Sequence, residues 1–217
     1  SCEGFADLAA RPSFLRLRGQ ESLNSLHHVS LLAVRQQEVC AAAQTCMEFA
    51  PDYPEQAAGL AYMYDAMNFY LLVKTADENG RSLLTLLKSD DGVITDEAEP
   101  IPVARDGRLE LRAVVSQDGL AVRFYFRQTE QEEGKASLQG LQPDLERALV
   151  PEEKQDSPEP TWQQVGESLS TQLVTDEHCR GFTGAHFGMY VHDMTGLSYH
   201  ADFDYFEVKY DEECCLS

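Results

Sequence analysis

Apolar and polar residues alternate with period two along most of this chain. Turn signals interrupt the pattern at short intervals, and no long helical pattern replaces it. In residues 13–18, Leu15 and Leu17 share one side and Arg16 and Arg18 the other, with Phe14. A strand is expected over 30–36. Val39, Ala41, Ala43, Thr45, Met47 and Phe49 then lie on one side of a longer run, and its small alanines imply close approach to a second sheet or to a bulky neighbour. Strands are also expected over 58–64 and 69–75, joined as a hairpin through 65–68, and over 82–88. The run Leu109, Leu111, Ala113, Val115 is answered by Leu120, Val122, Phe124, Phe126 across Asp118-Gly119, a strong hairpin signal. The pattern is that of an antiparallel β-sandwich. Residues 5–12 read as an entry loop. The stretch 181–208 reads as the closing hairpin: a strand at 189–192, a turn at Asp193-Met194-Thr195-Gly196 and a strand at 203–208.

With 217 residues, a sandwich of this kind fits in one domain and can bury a core without disulfide staples. Residues 129–159 stand apart. They are acidic, carry Gly134, Gly140, Pro143, Pro151 and Pro158, and place Leu141, Leu145, Ala148 and Leu149 at helical spacing. An inserted surface loop with a short helical piece is expected there. Trp162 marks the return to order.

Asp plus Glu number 37 against 17 Lys plus Arg, a net charge of -20. Such a surface repels phosphate backbones and anionic lipid, so neither nucleic acid nor a membrane is an expected partner. No run approaches the roughly 18 apolar residues that a span requires. The opening Ser-Cys-Glu-Gly-Phe has no initiator Met and no leader pattern, so the chain reads as a piece beginning inside a longer protein. The six cysteines, Cys2, Cys40, Cys46, Cys179, Cys214 and Cys215, show no zinc or dense disulfide spacing. Cys40 and Cys46 on one extended strand would lie about 20 Å apart, too far to bridge. All six are read as reduced thiols, which points to the cytoplasm.

Chemistry is sparse. Asp202 and Asp204 have the two-residue spacing that puts paired acids on one strand face, as glycoside hydrolysis on a sheet would need, whereas Glu207 falls on the other face. The plain alternatives are a solvated last strand, or an Asp bonded to backbone. A structural calcium needs several convergent oxygens, and only two acids can be named. His27, His28, His186 and His192 lack HxH or HExxH spacing and read as loop or surface residues. No GxSxG motif, phosphate loop or nucleophilic cysteine setting occurs. No catalytic residue, metal ligand or cofactor site is assigned. The aromatics Tyr62, Tyr64, Phe69, Tyr70, Phe182, Phe187 and Tyr190 gather in two glycine-adjacent regions, and most fit a sandwich core. Phe182 differs. It sits between Gly181 and Thr183-Gly184 in a loop, where a large ring has reason to protrude toward a ligand or partner.

Several blocks, in order and spanning nearly the whole chain, carry a resemblance. They are Leu8-Ala9-Ala10-Arg11-Pro12-Ser13-Phe14-Leu15-Arg16-Leu17-Arg18-Gly19, Ser22-Leu23 with Ser30-Leu31-Leu32-Ala33, Ala58-Gly59-Leu60 with Tyr64 and Asn68-Phe69-Tyr70, Gly181-Phe182-Thr183-Gly184-Ala185, and Ala201-Asp202-Phe203-Asp204-Tyr205-Phe206. Together they resemble the C-terminal domain of glycoside hydrolase family 43 β-xylosidases. The resemblance implies a concanavalin A-like antiparallel β-sandwich, or jelly roll, that follows a five-bladed catalytic propeller absent from this chain. It implies that the propeller holds the catalytic acids of an inverting reaction, and that the sandwich packs on it. By position in its block, Phe182 matches the loop phenylalanine that helps wall the pocket. Such a wall suits exo-cleavage of short xylo-oligosaccharides by excluding water. Val34, Asp65 and the long acidic insertion depart from the family pattern. Homo-oligomerisation, and xylosidase as against arabinofuranosidase preference, are left open. The alternatives are a stand-alone lectin-like carbohydrate-binding module, and a concanavalin-type hydrolase using Asp202 or Asp204.

Overall fold

The computed structural model describes residues 4–128 and 161–210. The chain order begins β1 (Ala6–Asp7), β2 (Leu15–Arg18), β3 (Ser30–Arg35), β4 (Ala41–Glu48), β5 (Gln56–Met63), β6 (Phe69–Ala76) and β7 (Ser82–Asp90). It continues with β8 (Val93–Asp96), β9 (Ile101–Pro102), β10 (Arg108–Val115), β11 (Ala121–Gln128), β12 (Gln163–Ser170), a one-turn helix α1 (Asp176–Cys179), β13 (His186–Asp193) and β14 (His200–Lys209). The first sheet runs β1-β2-β14-β4-β10-β11-β12, and the second β3-β13-β5-β6-β7-β8 with β9 beside β7. The two sheets form an antiparallel, concanavalin A-like sandwich.

The alternation sends Leu17, Met47, Leu109, Leu111, Phe124 and Phe203 inward from the first sheet, to meet Leu60, Leu72, Leu84, Leu86, Phe187 and Met189 of the second. Tyr62 and Phe187 stack with ring centroids 4.6 Å apart. Ala43 pairs with Ala113, and Ala41 with Val115, so small residues face the core where the sheets approach closely. At about 25 cal/mol per Å² of apolar surface, each large side chain buried here contributes roughly 1.5–3 kcal/mol.

The two outer faces differ. The segment 19–29 folds over the second sheet and places Leu23 in a cluster with Ala57, Ala61, Phe69, Leu71, Val73 and Tyr190. Buried on both sides, β5 and β6 are therefore nearly continuous apolar runs. Among the polar exceptions is Lys74, whose fully buried ammonium donates to the carbonyls of Ala104 (2.8 Å) and Arg105 (2.6 Å). The outer face of the first sheet is polar. Arg127 and Glu110 pair at 2.9 Å, Tyr205 donates to Glu110 at 2.6 Å, and Arg127 lies over the Trp162 ring.

Four expectations are corrected. The stretch 181–208 is not a hairpin: β13 lies between β3 and β5 in the second sheet and β14 between β2 and β4 in the first, so the turn after Asp193 is a crossover. A bulge between Phe203 and Tyr205 breaks the register of β14 on β4, so Asp204 has no partner opposite it. Part of the supposed entry loop forms β1, paired with β2. Cys40 is disulfide-bonded, against the reading of all six cysteines as thiols; Cys46 and Cys179 are free. The expected insertion at 129–159 lies outside the described residues. No helix among the described residues is long and apolar enough to cross a membrane.

Candidate functional site

Phe182 stands 92% exposed, on a loop whose backbone is held on both sides of it. Thr175 caps α1 by accepting from the His178 amide at 3.3 Å. Arg180 then takes a left-handed conformation (φ 55), which turns the chain back, and Gly181 N donates to the Asp176 carbonyl at 3.2 Å. Beyond Phe182, Thr183 N donates to the Tyr64 hydroxyl (3.2 Å) and Gly184 N to the Asp176 carboxylate (3.1 Å). Tyr64 Oη itself donates to Asp176 Oδ1 at 2.6 Å, closing the clasp. These bonds, the Tyr64 hydroxyl first and the Gly184 amide next, hold the Asp176 carboxyl below its usual range. Ala185 O accepts from Gln36 N at 2.9 Å, which ties the loop to the end of β3.

The glycines are required by the clasp. A Cβ on Gly181 would lie 2.3 Å from the Tyr64 hydroxyl oxygen, and Gly184 has φ +69 with Arg35 packed against it. The sequence around Phe182 thus builds a rigid pedestal and leaves the ring in solvent. Leaving the phenylalanine exposed on this held backbone forgoes roughly 1.5–3 kcal/mol of burial. Beside the loop, a cleft of about 360 Å³ opens between Gln36, Glu38, Val39, Tyr62, Thr171 and Asp176.

The other candidates are engaged elsewhere. Asp202 is only 6% exposed. It accepts from Arg16 Nε (2.7 Å) and Nη2 (2.8 Å) and from Arg11 Nη1 (3.2 Å). Burial pushes its carboxyl up, but the two guanidiniums outweigh burial and hold it below the usual range. Asp204 pairs with Arg108, and Glu207 with Lys209 at 3.2 Å. The spacing that suggested a catalytic pair is undone by the bulge and by the arginines, which neither a general acid nor a calcium site would share. A second cleft, of about 560 Å³, lies at the opposite end, between Arg11, Glu48, Phe49, Arg105, Tyr199 and Asp202. Its walls include charged groups paired with one another, Arg11 with Glu48 at 2.9 Å and with Asp202 at 3.2 Å.

His27 and His28 are exposed. Burial lowers the pKa of His186 and of His192, and the latter ring lies 2.8 Å from the Tyr190 hydroxyl. A histidine the spacing rules passed over, His178, lies 3.1 Å from Asp90; with Asp91 these residues bring three ligand-type atoms within 4.8 Å of one another. Tyr64 and Asp176 were missed as supports of Phe182, because they meet only through the fold, 112 residues apart.

Residues 1–147 and 155–209 match the family model described as the β-xylosidase C-terminal concanavalin A-like domain. The chain belongs to this family. A putative β-xylosidase of Escherichia coli K12 is 32% identical over 206 residues, which cover 92% of this chain and 32% of that protein. A xylan 1,3-β-xylosidase of a Vibrio species is 27% identical over 208 residues, 94% of this chain and 33% of that protein. Among solved structures, the xylan β-1,4-xylosidase of Bacillus halodurans C-125 superposes with a TM-score of 0.76 at 30% identity, covering 95% of this chain and 34% of that one. The chain therefore spans about a third of the length of the relatives it matches. In those relatives, the domain shares a polypeptide with a family 43 glycosidase domain.

Proposed function

We propose that residues 1–217 form one sandwich domain, with 129–159 inserted between β11 and β12, and that it serves as the non-catalytic C-terminal domain of a family 43 glycosidase of the β-xylosidase or arabinofuranosidase type. In this reading the sandwich packs on the catalytic propeller of the same polypeptide. Phe182 closes one side of the active-site pocket, where short xylo-oligosaccharides are cut. The observation that carries the reading is the Phe182 ring, 92% exposed on a backbone fixed by Tyr64 and Asp176. A fixed apolar wall orders a sugar ring and excludes water without itself donating or accepting a proton. The pairing of Asp202 and Asp204 with arginines fits a domain that leaves the proton transfers to its neighbour.

The test is hydrolysis of an aryl β-xyloside by this chain alone, by the separately expressed propeller, and by the two mixed. The expected result is an inert chain that raises the activity of the propeller. Phe182→Ala should remove the gain, costing about ten-fold in kcat/KM, or roughly 1.4 kcal/mol of transition-state stabilisation. Hydrolysis by the chain alone overturns the reading. Tight binding of xylo-oligosaccharide by the chain alone would instead favour a lectin-like module. A cytoplasmic location belongs to the same proposal; it rests on the free thiols of Cys46 and Cys179, while the bonded Cys40 counts against it.

A further inference from the structure

The cleft at the end opposite Phe182, about 560 Å³, falls within the roughly 300–1,000 Å³ of small-molecule sites. It lies between the end of β4, the turn before β10 and the segment 197–200 that leads into β14. One wall is an aromatic ring held in place. The Tyr199 hydroxyl lies 2.8 Å from Asp52 and 2.9 Å from the Ala50 carbonyl, and the ring meets Phe49 edge to face at 6.1 Å. Leu197, 61% exposed, adds apolar surface beside it. The charges of the lining are largely spent on one another. Arg11 pairs with Glu48 and Asp202, and Arg105 with Asp52. Three polar groups of the lining make no side-chain hydrogen bond among the described residues: the exposed Asp106 and Ser198, and the half-buried His200. Burial first, and then the nearby Arg16, lower the pKa of His200, so at neutral pH its ring offers one donor and one acceptor.

We propose that this cleft is a second carbohydrate site, which binds an internal stretch of a neutral xylan chain at the end of the domain away from the pocket. The inference rests on the proposed function for its class of sugar and goes beyond it. The state of the lining selects the ligand. An ion would have to compete for arginines and acids that already satisfy one another, at the cost of breaking those pairs. A neutral sugar needs no such exchange. Its C–H face can lie against the fixed Tyr199 ring, and its hydroxyls can both donate to Asp106 and exchange hydrogen bonds with His200 and Ser198. Asp106, Leu197 and Ser198 are exposed, so a chain can lie across the cleft without ending there. An open cleft with three unspent polar groups binds weakly, which sets it apart from the tight binding expected of a lectin-like module. Its use is to keep the protein on the polymer while chain ends are cut elsewhere.

Native electrophoresis of the full-length protein through gels holding soluble arabinoxylan, a neutral polymer, tests this. A pocket built for exo-cleavage takes chain ends, which are few in a polymer, so retardation reads the open cleft. The expected result is that the wild type is retarded, and that His200→Ala and Asp106→Ala each weaken the affinity read from the retardation about five-fold, the worth of one net hydrogen bond. Asp106 is exposed and makes no hydrogen bond among the described residues, so Asp106→Ala keeps the test decisive even where His200→Ala disturbs β14. Wild-type migration unchanged by arabinoxylan, or equal retardation of wild type and Asp106→Ala, overturns the proposal. The pocket reading is tested separately by Phe182→Ala on an aryl β-xyloside, a substrate of one sugar that occupies the pocket alone. If that variant hydrolyses normally while His200→Ala and Asp106→Ala lose retardation, the second site stands and the pocket wall falls.

Discussion

Asp202→Asn separates a structural carboxylate from a catalytic one. The substitution keeps the shape and removes the charge. In the native protein three N–H···O contacts of 2.7–3.2 Å converge on this side chain from Arg16 and Arg11, and only 8% of its side-chain surface is open. An asparagine retains one acceptor oxygen and turns its own N–H group toward a guanidinium. A charge-assisted bond is worth about 1.5–3 kcal/mol and breaking a fully buried pair costs about 3–5, so with half-open arginines the expected loss is about 2–3 kcal/mol. For a domain of this size, that lowers Tm by roughly 4–12 °C. Denaturant unfolding is the assay: the midpoint should fall with an unchanged m-value. The pH dependence gives a second reading. The folded pKa of Asp202 is depressed, so its contribution is present above the unfolded value and is lost as pH falls through the folded one. Wild type and variant should therefore differ at neutral pH and converge in acid. Unchanged stability, together with loss of a hydrolytic activity carried by this chain alone, would refute the reasoning and restore Asp202 as a catalytic acid.

Three further outcomes are expected. Burial lowers the Lys74 ammonium to about 8 from an ordinary value of 10.5, so the folded state holds this proton more weakly than the unfolded chain does. Stability should therefore rise between those pH values by an amount on the order of 3 kcal/mol, and Lys74→Met should flatten that rise in urea midpoints measured across the range. Tyr64→Phe removes the hydroxyl that accepts from Thr183 N and donates to Asp176; amide exchange at Thr183 and Gly184 should speed by roughly ten-fold while the β4 and β10 amides keep their rates. Non-reducing peptide mapping should find Cys40 in a disulfide, and Cys46 and Cys179 as thiols slow to alkylate, because burial pushes Cys179 up to about 11 and also raises Cys46.

Strands with one dry and one wet face were readable from alternation, as in β10 and β11, where Arg108, Glu110 and Arg112 oppose Leu109, Leu111 and Ala113. Among strands without that contrast, β5 and β6 were read from their apolar content and flanking turns, but β8 and β12 were not. In β12 Val165 is buried and its neighbours are exposed, and β8 is exposed throughout, so neither writes a period into the sequence. The closing hairpin failed for a different reason. Adjacency and a turn say that two strands are neighbours in the chain, but a hairpin and a crossover between sheets have the same alternation, and long-range pairing with β5 and β4 decides between them. Phe182 was readable because Gly181 and Gly184 flank a ring that no strand period requires inside. Its supports were not, because Tyr64 alternates like a core residue and its hydroxyl meets Asp176 only in the folded state.

The polar groups of this sandwich are divided unevenly over its surface. The outer face of the first sheet matches its arginines to its acids: Arg11 and Arg16 with Glu48 and Asp202, Arg108 with Asp204, Arg127 with Glu110. The centre of the outer face of the second sheet, on β5, β6 and β13, is covered by the chain's own segment 19–29. The cleft at the far end is lined in part by charged groups that pair with one another. The Phe182 end presents Val39, Leu120 and Phe182 to solvent among charges of both signs, Glu38 and Glu177 with Arg35 and Arg180. A net charge of -20 weakens binding to anything acidic and is indifferent to a neutral xylan. The same charge excess should make docking depend on salt, with mixing of the separated parts slower at 1 M than at 0.1 M ionic strength, where the screening length shortens from about 10 Å to about 3 Å. A mixing rate indifferent to salt would detach the charge excess from the proposed packing on the propeller and leave the apolar contacts to act alone.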